Sequence, residues 1–322
     1  MKMKLYPLQF NPILKERIWG GTKLETLLNK PISSEIIGES WEITTVGDDI
    51  SIISNGYLKG KSLQELINTF PIEILGIKVY EVFGKQFPLL FKYLDAKENL
   101  SIQVHPNDVL AKERHNSFGK TEMWYVIQAD PSAKLIVGLK KKSLPEEFLE
   151  SLESKTLLNL LDTKSVKEGD VFFLNTGTVH AIGAGTVIAE IQQTSDITYR
   201  VFDFDRIDKN GNTRELHLDL ALDAINYNVV KTKQEYKKTE NCSNEVVSCE
   251  YFTTNIIPLN GKMNIKKNND SFRVYMCTKG DFKLYYKKEI FTYKMGDTLL
   301  LPAQITSYEL IGKAILLEIY IS

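Results

Sequence analysis

Short runs rich in valine, isoleucine, tyrosine and phenylalanine, separated by glycine, asparagine, aspartate and lysine, dominate this chain. Runs of this kind predict short strands joined by turns, which is the pattern of a sandwich or a barrel. The clearest predicted strands are residues 40–46, 88–94, 123–128, 171–174 and 186–192. We therefore expect a mainly β fold class, with two β-barrels or jelly rolls and a few interleaved helices.

Four segments carry helical patterns between these strands. Residues 61–68 have apolar residues at helical spacing behind Ser62, a residue type that caps helix N-termini. Residues 106–113 indicate a turn of helix behind Asn107 and Asp108, and residues 216–226 an amphipathic helix. Residues 144–161, with Pro145 near the start, predict one longer helix.

Residues 231–244 are rich in lysine, glutamate, threonine and asparagine and show no apolar period, which is typical of a linker. We place a domain boundary near residue 235, which gives a first domain of residues 1–234 and a second of residues 235–322. An internal comparison supports this division. Residues 166–180 read VKEGDVFFLNTGTVH, and residues 293–307 read YKMGDTLLLPAQITS.

Aligned on Gly169 and Gly296, both segments have a Gly-Asp turn followed by an apolar strand. The same comparison places Glu122 opposite Phe272 and His180 opposite Ser307. The chain is therefore predicted to contain two β domains of one design. Because the second domain lacks the Glu and His, we expect it to be structural and free of metal.

The composition excludes some classes of partner. The 322 residues, 43% of them hydrophobic, are enough to bury two cores, and 40 basic against 41 acidic residues leave a net charge of −1. No global basic field exists to hold nucleic acid or an anionic membrane. Three cysteines without a CxxC pair indicate neither disulfides nor a thiolate metal site. Since no signal peptide or long apolar run occurs, we expect a cytoplasmic protein. We also expect a monomer or weak homodimer that acts on a small-molecule substrate.

A set of possible metal ligands is spread over three predicted strands. Gln103 and His105 are two residues apart on one strand, so their side chains point to the same face. Glu122 precedes a second strand, and His180 follows the turn of a third. Only four histidines occur in the chain, so two of them in such motifs is an enriched signal. This mixed N/O donor set suits a divalent ion, zinc first, with iron or manganese behind it.

Four ordered segments carry a family resemblance: FPLLFKYLDAKENLSIQVHPND, GKTEMWYV, NTGTVHAI and AEIQQTSDITYRVFDFDR. Together they closely resemble type I mannose-6-phosphate isomerases, a zinc-dependent cupin family, and in particular its short bacterial form. The resemblance implies two cupin-like domains, with the first one catalytic and metal-binding. It also implies one Zn²⁺ per chain, with Gln103, His105, Glu122 and His180 as the ligands.

The same resemblance assigns catalysis to Arg200 and places Lys92, Ser101 and Lys120 in the substrate pocket. Lys120 is also a catalytic candidate. The reaction it implies interconverts mannose 6-phosphate and fructose 6-phosphate through a cis-enediol(ate). The longer eukaryotic-type members carry a helical insertion that this chain cannot accommodate.

An aldose–ketose isomerisation of this kind requires a polarised carbonyl, a base that carries a proton between C1 and C2, and a cationic site for the phosphate. The metal would polarise the carbonyl. Glu190, on the strand after His180, is a candidate base, and water activated by the metal is its rival. Arg200 and the two lysines could bind phosphate through charge-assisted hydrogen bonds. Trp19 and Trp41 could line the sugar site.

Three alternatives to this function remain open from the sequence. Two histidines and a carboxylate also describe an iron-dependent cupin oxygenase, although Gln103 and the cationic residues favour the isomerase. A non-catalytic sugar-phosphate sensor would keep the pocket and lose turnover. A glucose-6-phosphate isomerase of the cupin type is also possible, but that fold normally has one barrel.

Overall fold

The computed structural model describes residues 4–208 and 211–322. Its strands, in chain order, are β1 (Ile13–Gly21), β2 (Ile37–Ile43), β3 (Thr45–Val46), β4 (Asp49–Ile50), β5 (Leu89–Ala96), β6 (Ile102–Val104), β7 (Glu122–Ala129), β8 (Lys134–Leu139), β9 (Leu161–Ser165), β10 (Val171–Leu174), β11 (His180–Ile182), β12 (Thr186–Gln193), β13 (Tyr199–Phe202), β14 (Lys233–Gln234), β15 (Asn244–Ser248), β16 (Thr253–Lys266), β17 (Arg273–Tyr286), β18 (Glu289–Lys294), β19 (Thr298–Leu301) and β20 (Ser307–Tyr320). The helices are α1 (Lys23–Thr26), α2 (Leu63–Thr69), α3 (Pro71–Leu75), α4 (Ile77–Phe83), α5 (Asp108–His115), α6 (Pro145–Glu153), α7 (Leu157–Leu160) and α8 (Leu218–Ala224).

Three sheets of antiparallel strands organise the molecule, which confirms the prediction of a mainly β chain. The first sheet has the order β1-β2-β5-β12-β7-β10-β14, and the second has the order β13-β6-β11-β8-β9. The third has the order β15-β16-β20-β17-β18, with β19 paired to β17. Strands β3 and β4 form a small separate pair.

The first and second sheets pack face to face. Trp124 and Ile188 of the first sheet share a buried cluster with Leu135 and Val137 of the second. Helices α6, α7 and α8 cover the outer face of the second sheet. Phe148 of α6 lies in one buried cluster with strand residues of that sheet. This is the sandwich expected when both faces of a sheet carry apolar residues.

The other face of the first sheet packs against the third sheet. Because strand residues alternate between faces, Met123 and Tyr125 lie opposite the side that carries Trp124. They join Val274 and Leu317 of the third sheet in one buried cluster. The two halves of the chain are therefore held together by a continuous apolar core, and the third sheet has a further core of its own.

Four of the five predicted strands are confirmed, but residues 40–46 are divided, since β2 ends at Ile43 and β3 pairs with β4 in a separate sheet. Two of the predicted helices have the expected caps. Ser62 forms a capping box with Glu65 at the start of α2, and the Asn107 side chain accepts a hydrogen bond from the Leu110 amide at the start of α5. The prediction of one helix over residues 144–161 is wrong, since α6 ends at Glu153 and α7 is separate. Lys155 lies between them with φ of +59°, a left-handed conformation that a helix cannot continue through.

Helices α3 and α4 were not predicted from the sequence. They are short, and contacts from distant parts of the chain stabilise them. The Phe272 amide donates to the carbonyl of Leu75, and the Ile77 amide donates to the carbonyl of Asn269. Tertiary hydrogen bonds of this kind leave little periodic signal in a local sequence window.

The sheets suggest where one domain ends and the next begins. Strand β14 pairs with β10 and is the last strand of the first sheet, whereas β15 pairs with β16 and begins the third. We therefore propose the division at residues 234 and 235 on the ground of sheet membership. The shared apolar core shows that the two domains do not pack independently.

The repeated Gly-Asp turn is the same structure in both halves. The glycines, Gly169 and Gly296, have φ of +85° and +91°, which a residue with a Cβ rarely adopts. In each turn the aspartate carboxylate accepts a hydrogen bond from the amide three residues earlier, at 3.1 Å from Lys167 and 2.8 Å from Lys294. The two turns therefore share the same hydrogen bond as well as the same Gly-Asp sequence.

Strand pairing corrects the register of the repeat by one residue. Leu174, five residues after the first glycine, pairs with Glu122, and Leu301, five residues after the second, pairs with Arg273. Glu122 therefore corresponds to Arg273 and not to Phe272. The sequence comparison missed this because both strands are continuous apolar runs, and a shift of one residue leaves their patterns similar.

The residue that replaces Glu122 in the second domain has its own partner. Arg273 Nη1 lies 3.0 Å from Glu318 Oε1, and the Tyr275 hydroxyl donates to the same oxygen at 2.8 Å. The Tyr308 hydroxyl completes the cluster at 2.7 Å from that of Tyr275. An arginine paired in this way is not a metal ligand, so this point of the second domain is organised by an internal ion pair.

None of the helices in the described ranges is both long enough and apolar enough to cross a membrane. The cytoplasmic location and the state of monomer or weak homodimer stay predictions.

Candidate functional site

Three buried side chains from different strands converge between the first and second sheets. His105 follows β6, Glu122 begins β7, and His180 begins β11. One donor atom from each lies within 4.8 Å of the others. Their exposures are 2%, 0% and 1%, so the cluster is shielded from bulk water.

The local backbone explains why these side chains meet. In the second sheet His180 pairs directly with Gln103, which brings β6 and β11 together. The Gly177 amide donates to the carbonyl of His105 at 2.9 Å, and Gly177 has φ of +81°, so this turn favours glycine. A Cβ on Gly177 would also lie 2.8 Å from the carbonyl oxygen of Ala224.

Backbone carbonyls fix the tautomer of both histidines. Nδ1 of His105 lies 2.9 Å from the carbonyl of Ile197, and Nδ1 of His180 lies 2.8 Å from that of Thr178. A carbonyl only accepts, so each Nδ1 carries the hydrogen and each Nε2 keeps a lone pair. Burial lowers the pKa of His105 to about 3 and also lowers that of His180, so both rings are neutral at ordinary pH.

Both lone pairs face the Glu122 carboxylate. Nε2 of His105 is 3.5 Å from Oε2, and Nε2 of His180 is 3.5 Å from Oε1. Neither oxygen accepts a well-aligned hydrogen bond from the residues that the structure describes. Burial by itself would raise the pKa of Glu122, but the Lys120 ammonium beside it holds that pKa well below its usual range, so the carboxylate is ionised.

A buried anion facing two imidazole lone pairs is unfavourable unless a cation lies among them. The donors are two imidazole nitrogens and a carboxylate, with an amide beside them, since Gln103 Nε2 lies 3.3 Å from His180 Nε2. Rotating that amide by half a turn would present its oxygen to the same point. Both histidines also have the carbonyl-bound Nδ1 that is usual for metal-ligating histidine. This donor set fits a divalent metal ion.

The Lys120 ammonium offsets part of this charge. Its Nζ lies 3.2 Å from Glu122 Oε2 and 3.1 Å from His105 Nε2. Burial would lower the pKa of Lys120, but Glu122 and Glu190 outweigh it and raise that pKa, so the amine stays charged. It contacts only one side of the carboxylate. Oε1, with His180, still faces a point that Lys120 does not reach.

A cavity of about 680 Å³ opens next to this cluster. Its size is ordinary for a small-molecule site. Every residue predicted for the substrate pocket or for catalysis lies in its wall, and so does one candidate ligand, Gln103. Together these are Lys92, Ser101, Gln103, Lys120, Glu190 and Arg200. Trp19 and Trp41 also line it, as expected, and Lys15 and Lys92 lie 5.0 and 5.1 Å from the Trp41 ring.

Glu190 is held on both carboxylate oxygens. Oε1 pairs with Lys92 Nζ at 3.1 Å, and Oε2 accepts a hydrogen bond from Trp124 Nε1 at 2.9 Å. Strand β12 pairs with β5 and β7, which places Glu190 directly between Lys92 and Trp124. Burial, and then the nearby Glu122 carboxylate, raise the pKa of Glu190. A raised pKa makes a carboxylate a stronger base than an exposed glutamate.

Arg200 reaches the cavity from β13, where it pairs with Gln103. Its Nη1 donates to the carbonyl of Glu215 at 2.8 Å, while its buried Nε has no acceptor among the described residues. Burial, and then Arg214, lower the pKa of Arg200, but an arginine this shifted remains charged at neutral pH. The guanidinium is thus anchored at one nitrogen and has further donors to offer.

Sequence reasoning missed other charged residues in the same wall. Arg214 lies beside Arg200 and is held by Asp203, with Nε at 2.7 Å from Oδ2. Glu39 pairs with Arg17 at 2.7 Å, and despite burial, Lys92 and Arg17 lower the pKa of Glu39 to about 2. The sequence signal for Glu39 was its position within residues 37–43, which form a buried strand, since a charge in a buried strand needs a partner.

Comparison with known proteins identifies the family of the chain. Residues 7–130 match the family described as "Phosphomannose isomerase type I, catalytic domain", and residues 243–321 match "Mannose-6-phosphate isomerase, cupin domain". The chain is 35% identical over 316 residues to a mannose-6-phosphate isomerase of Bacillus subtilis, covering 97% of this chain and 98% of that one. It is also 35% identical over 314 residues to a mannose-6-phosphate isomerase of Streptococcus mutans, covering 95% of each chain.

Solved structures give the same result. The crystal structure of the mannose 6-phosphate isomerase from Bacillus subtilis superposes with a TM-score of 0.91 at 35% identity, over 98% of this chain and 100% of that one. A putative mannosephosphate isomerase from Archaeoglobus fulgidus superposes with a TM-score of 0.79 at 25% identity, over 99% of each chain. The predicted cupin fold is therefore confirmed, with the strands of the described residues in sheets that do not close into barrels. The chain belongs to the type I phosphomannose isomerase family.

Proposed function

We propose that this enzyme interconverts mannose 6-phosphate and fructose 6-phosphate with the help of one Zn²⁺ per chain, through a cis-enediol(ate). One observation carries the proposal. The buried anion of Glu122 faces the lone pairs of His105 and His180 beside a 680 Å³ cavity lined by cations. A sugar phosphate is a small polar dianion, and this cavity offers it both a metal and charged donors.

Gln103, His105, Glu122 and His180 would hold the ion. Three of these are already pre-oriented, since the two Nδ1–H groups are bound by carbonyls and the carboxylate is buried. Bound there, zinc would polarise the carbonyl of the sugar as a Lewis acid. Iron and manganese accept the same donors, and the choice of zinc rests on the resemblance to a zinc-dependent family.

Glu190 would carry the proton between C1 and C2. Its raised pKa makes it a stronger base than an exposed glutamate, and Lys92 with Trp124 fixes the direction of its oxygens. Lys120, charged and already in the cavity wall, would donate a hydrogen bond to the oxygen on which negative charge develops. Its catalytic role is thus electrostatic.

Arg200 would bind the phosphate or neutralise the enediolate. Its free donors form a planar fork that suits both oxyanions. Ser101 in the same wall could add a hydroxyl donor. Lys92 forms an ion pair with Glu190, with Nζ 3.1 Å from Oε1. We therefore propose that Lys92 orients that base and contacts the sugar, and does not serve the phosphate alone.

A coupled assay that follows fructose 6-phosphate from mannose 6-phosphate tests the function. The zinc-loaded protein should turn over, and Arg200→Ala should lower kcat/KM by about 100-fold to 1,000-fold because a charge-assisted contact in a buried site is lost. Arg200→Lys should recover only part of this loss, since an ammonium keeps the charge but not the fork.

Arg114→Ala is the matched control. Arg114 is paired with Asp223 outside the cavity, and its replacement should leave kcat/KM within about 2-fold of the original. Absence of turnover in the zinc-loaded protein would reject the isomerase function. Full activity of Arg200→Ala would reject the role proposed for that residue alone.

A further inference from the structure

Asp108 joins three distant segments of the chain through its carboxylate. Oδ1 accepts hydrogen bonds from the Gly119 amide at 2.8 Å and from Gln193 Nε2 at 3.0 Å. Oδ2 accepts a hydrogen bond from the Tyr251 hydroxyl at 2.5 Å. An ionised carboxylate is well suited to collect several donors, and the first turn of α5 favours its negative charge.

Two of these segments carry the candidate metal donors. Asp108 lies three residues after His105, and Gly119 directly precedes Lys120. The two loops approach so closely that a Cβ on Gly119 would lie 2.8 Å from the Asp108 amide nitrogen. The Lys120 amide also donates to the carbonyl of Pro106 at 3.3 Å. The His105 loop and the segment that leads to Glu122 are therefore tied together.

Gln193 adds a second tie at the same place. It lies at the end of β12 and is 4% exposed. Its Nε2 donates to Asp108, while its Oε1 accepts from the Thr121 amide at 2.8 Å. The peptide immediately before Glu122 is thus held by an amide that is itself held by Asp108. A buried network that satisfies each member in this way is rigid.

Tyr251 brings the second domain into this network. It directly precedes Phe252, which is fully buried in the shared core and packs edge-to-face on Phe173 at 6.4 Å. Burial, and then Asp108, raise the pKa of the Tyr251 hydroxyl far above its usual value, so it remains a donor. The hydrogen bond to Asp108 therefore links the third sheet to the loop that carries His105.

We propose that Asp108 is a positioning residue that sets the separation between His105 and Glu122, and that Tyr251 holds Asp108 in place from the second domain. The second domain thereby contributes to the geometry of the metal centre through a side chain that touches no candidate ligand. This inference rests on the metal site of the proposed function.

Titration of the metal-free protein with Co²⁺, in competition with a chelator, tests the inference without relying on activity. Tyr251→Phe should weaken Co²⁺ binding by about 10-fold, and Asp108→Asn by about 10-fold to 100-fold, as is typical when a group that orients metal ligands is lost. The visible spectrum of bound Co²⁺ should change in both, since it reports coordination geometry. With zinc, kcat should fall in the same proportion while KM for mannose 6-phosphate stays within about 2-fold.

Tyr236→Phe is the matched control. The Tyr236 hydroxyl also joins separate segments, donating to the carbonyl of Gly169 at 2.7 Å, but it lies away from the candidate ligands. Its loss should leave Co²⁺ affinity unchanged. Because Tyr251 acts through Asp108, the double variant Tyr251→Phe with Asp108→Asn should bind Co²⁺ no more weakly than Asp108→Asn alone.

The outcomes separate the inference from the proposed function. If the original protein binds Co²⁺ and Tyr251→Phe binds it as tightly as Tyr236→Phe does, the positioning role is refuted and the metal site stands. Independent, additive losses in the double variant would also refute it. If the original protein binds no Co²⁺, the metal site and the inference both fail.

Discussion

Replacing His180 with alanine should remove the metal and nearly all activity. Among the residues that the structure describes, His180 is the imidazole that faces Oε1 of Glu122, at 3.5 Å, while Lys120 pairs with the other oxygen, Oε2. Without it the site keeps one imidazole, a carboxylate and an amide, a weaker donor set than the two imidazoles and carboxylate of many zinc sites, so zinc should be lost on dialysis. Losing the Lewis acid removes about 4 kcal/mol of transition-state stabilisation, which corresponds to a fall of about 1,000-fold in kcat/KM. Metal content by mass spectrometry and the coupled assay measure the two effects.

His115→Ala provides the comparison for this variant. His115 ends α5, and its Nε2 lies 2.8 Å from the Tyr199 hydroxyl, outside the candidate donor set. It should keep one zinc per chain. A His180→Ala protein that also retains one zinc per chain after dialysis would show that the ion is bound elsewhere.

Replacing Phe272 with alanine should destabilise both domains together. Phe272 is fully buried, and its ring centroid lies 5.0 Å from that of Phe87 in the core shared by the first and third sheets. A Phe→Ala change in such a core costs about 3–5 kcal/mol. Because the core is continuous, unfolding in urea, followed by tryptophan fluorescence and by circular dichroism, should remain a single transition at a lower midpoint.

Ile290→Ala is the surface comparison, since Ile290 is 57% exposed. It should change the free energy of unfolding by no more than about 0.5 kcal/mol. A loss below about 1 kcal/mol for Phe272→Ala, or two separate transitions in which only one is shifted, would contradict a common core.

Local patterns in the sequence were sufficient for most strands and for the candidate ligands. Residues 171–174 form a strand with the predicted bounds, because a buried strand between turn residues has a clear signature. Gln103 and His105 converge with Glu122 and His180 as their motifs suggested. The proximity of Glu190 to the site also agrees with its place on the strand after His180.

Features that depend on distant contacts could not be read in the same way. The helix breaks at Lys155, which is left-handed although it is not a glycine, so its sequence does not signal the break. The register of the repeat becomes clear only from the pairing of Leu301 with Arg273. The partners of Asp108 come from positions 119, 193 and 251, so no local window contains the network. Side-chain networks of this kind are set by tertiary structure.

Isomerisation in ²H₂O tests the proposed reaction, since that reaction requires proton transfer through a cis-enediol(ate) in a metal-dependent site. The zinc-loaded protein, incubated with mannose 6-phosphate until the sugars equilibrate, should give fructose 6-phosphate that carries deuterium at C1. Nuclear magnetic resonance detects the label, and a chelator should abolish both the product and the label. Fructose 6-phosphate that forms without any deuterium, or at an unchanged rate after complete removal of metal, would rule out this metal-dependent proton transfer.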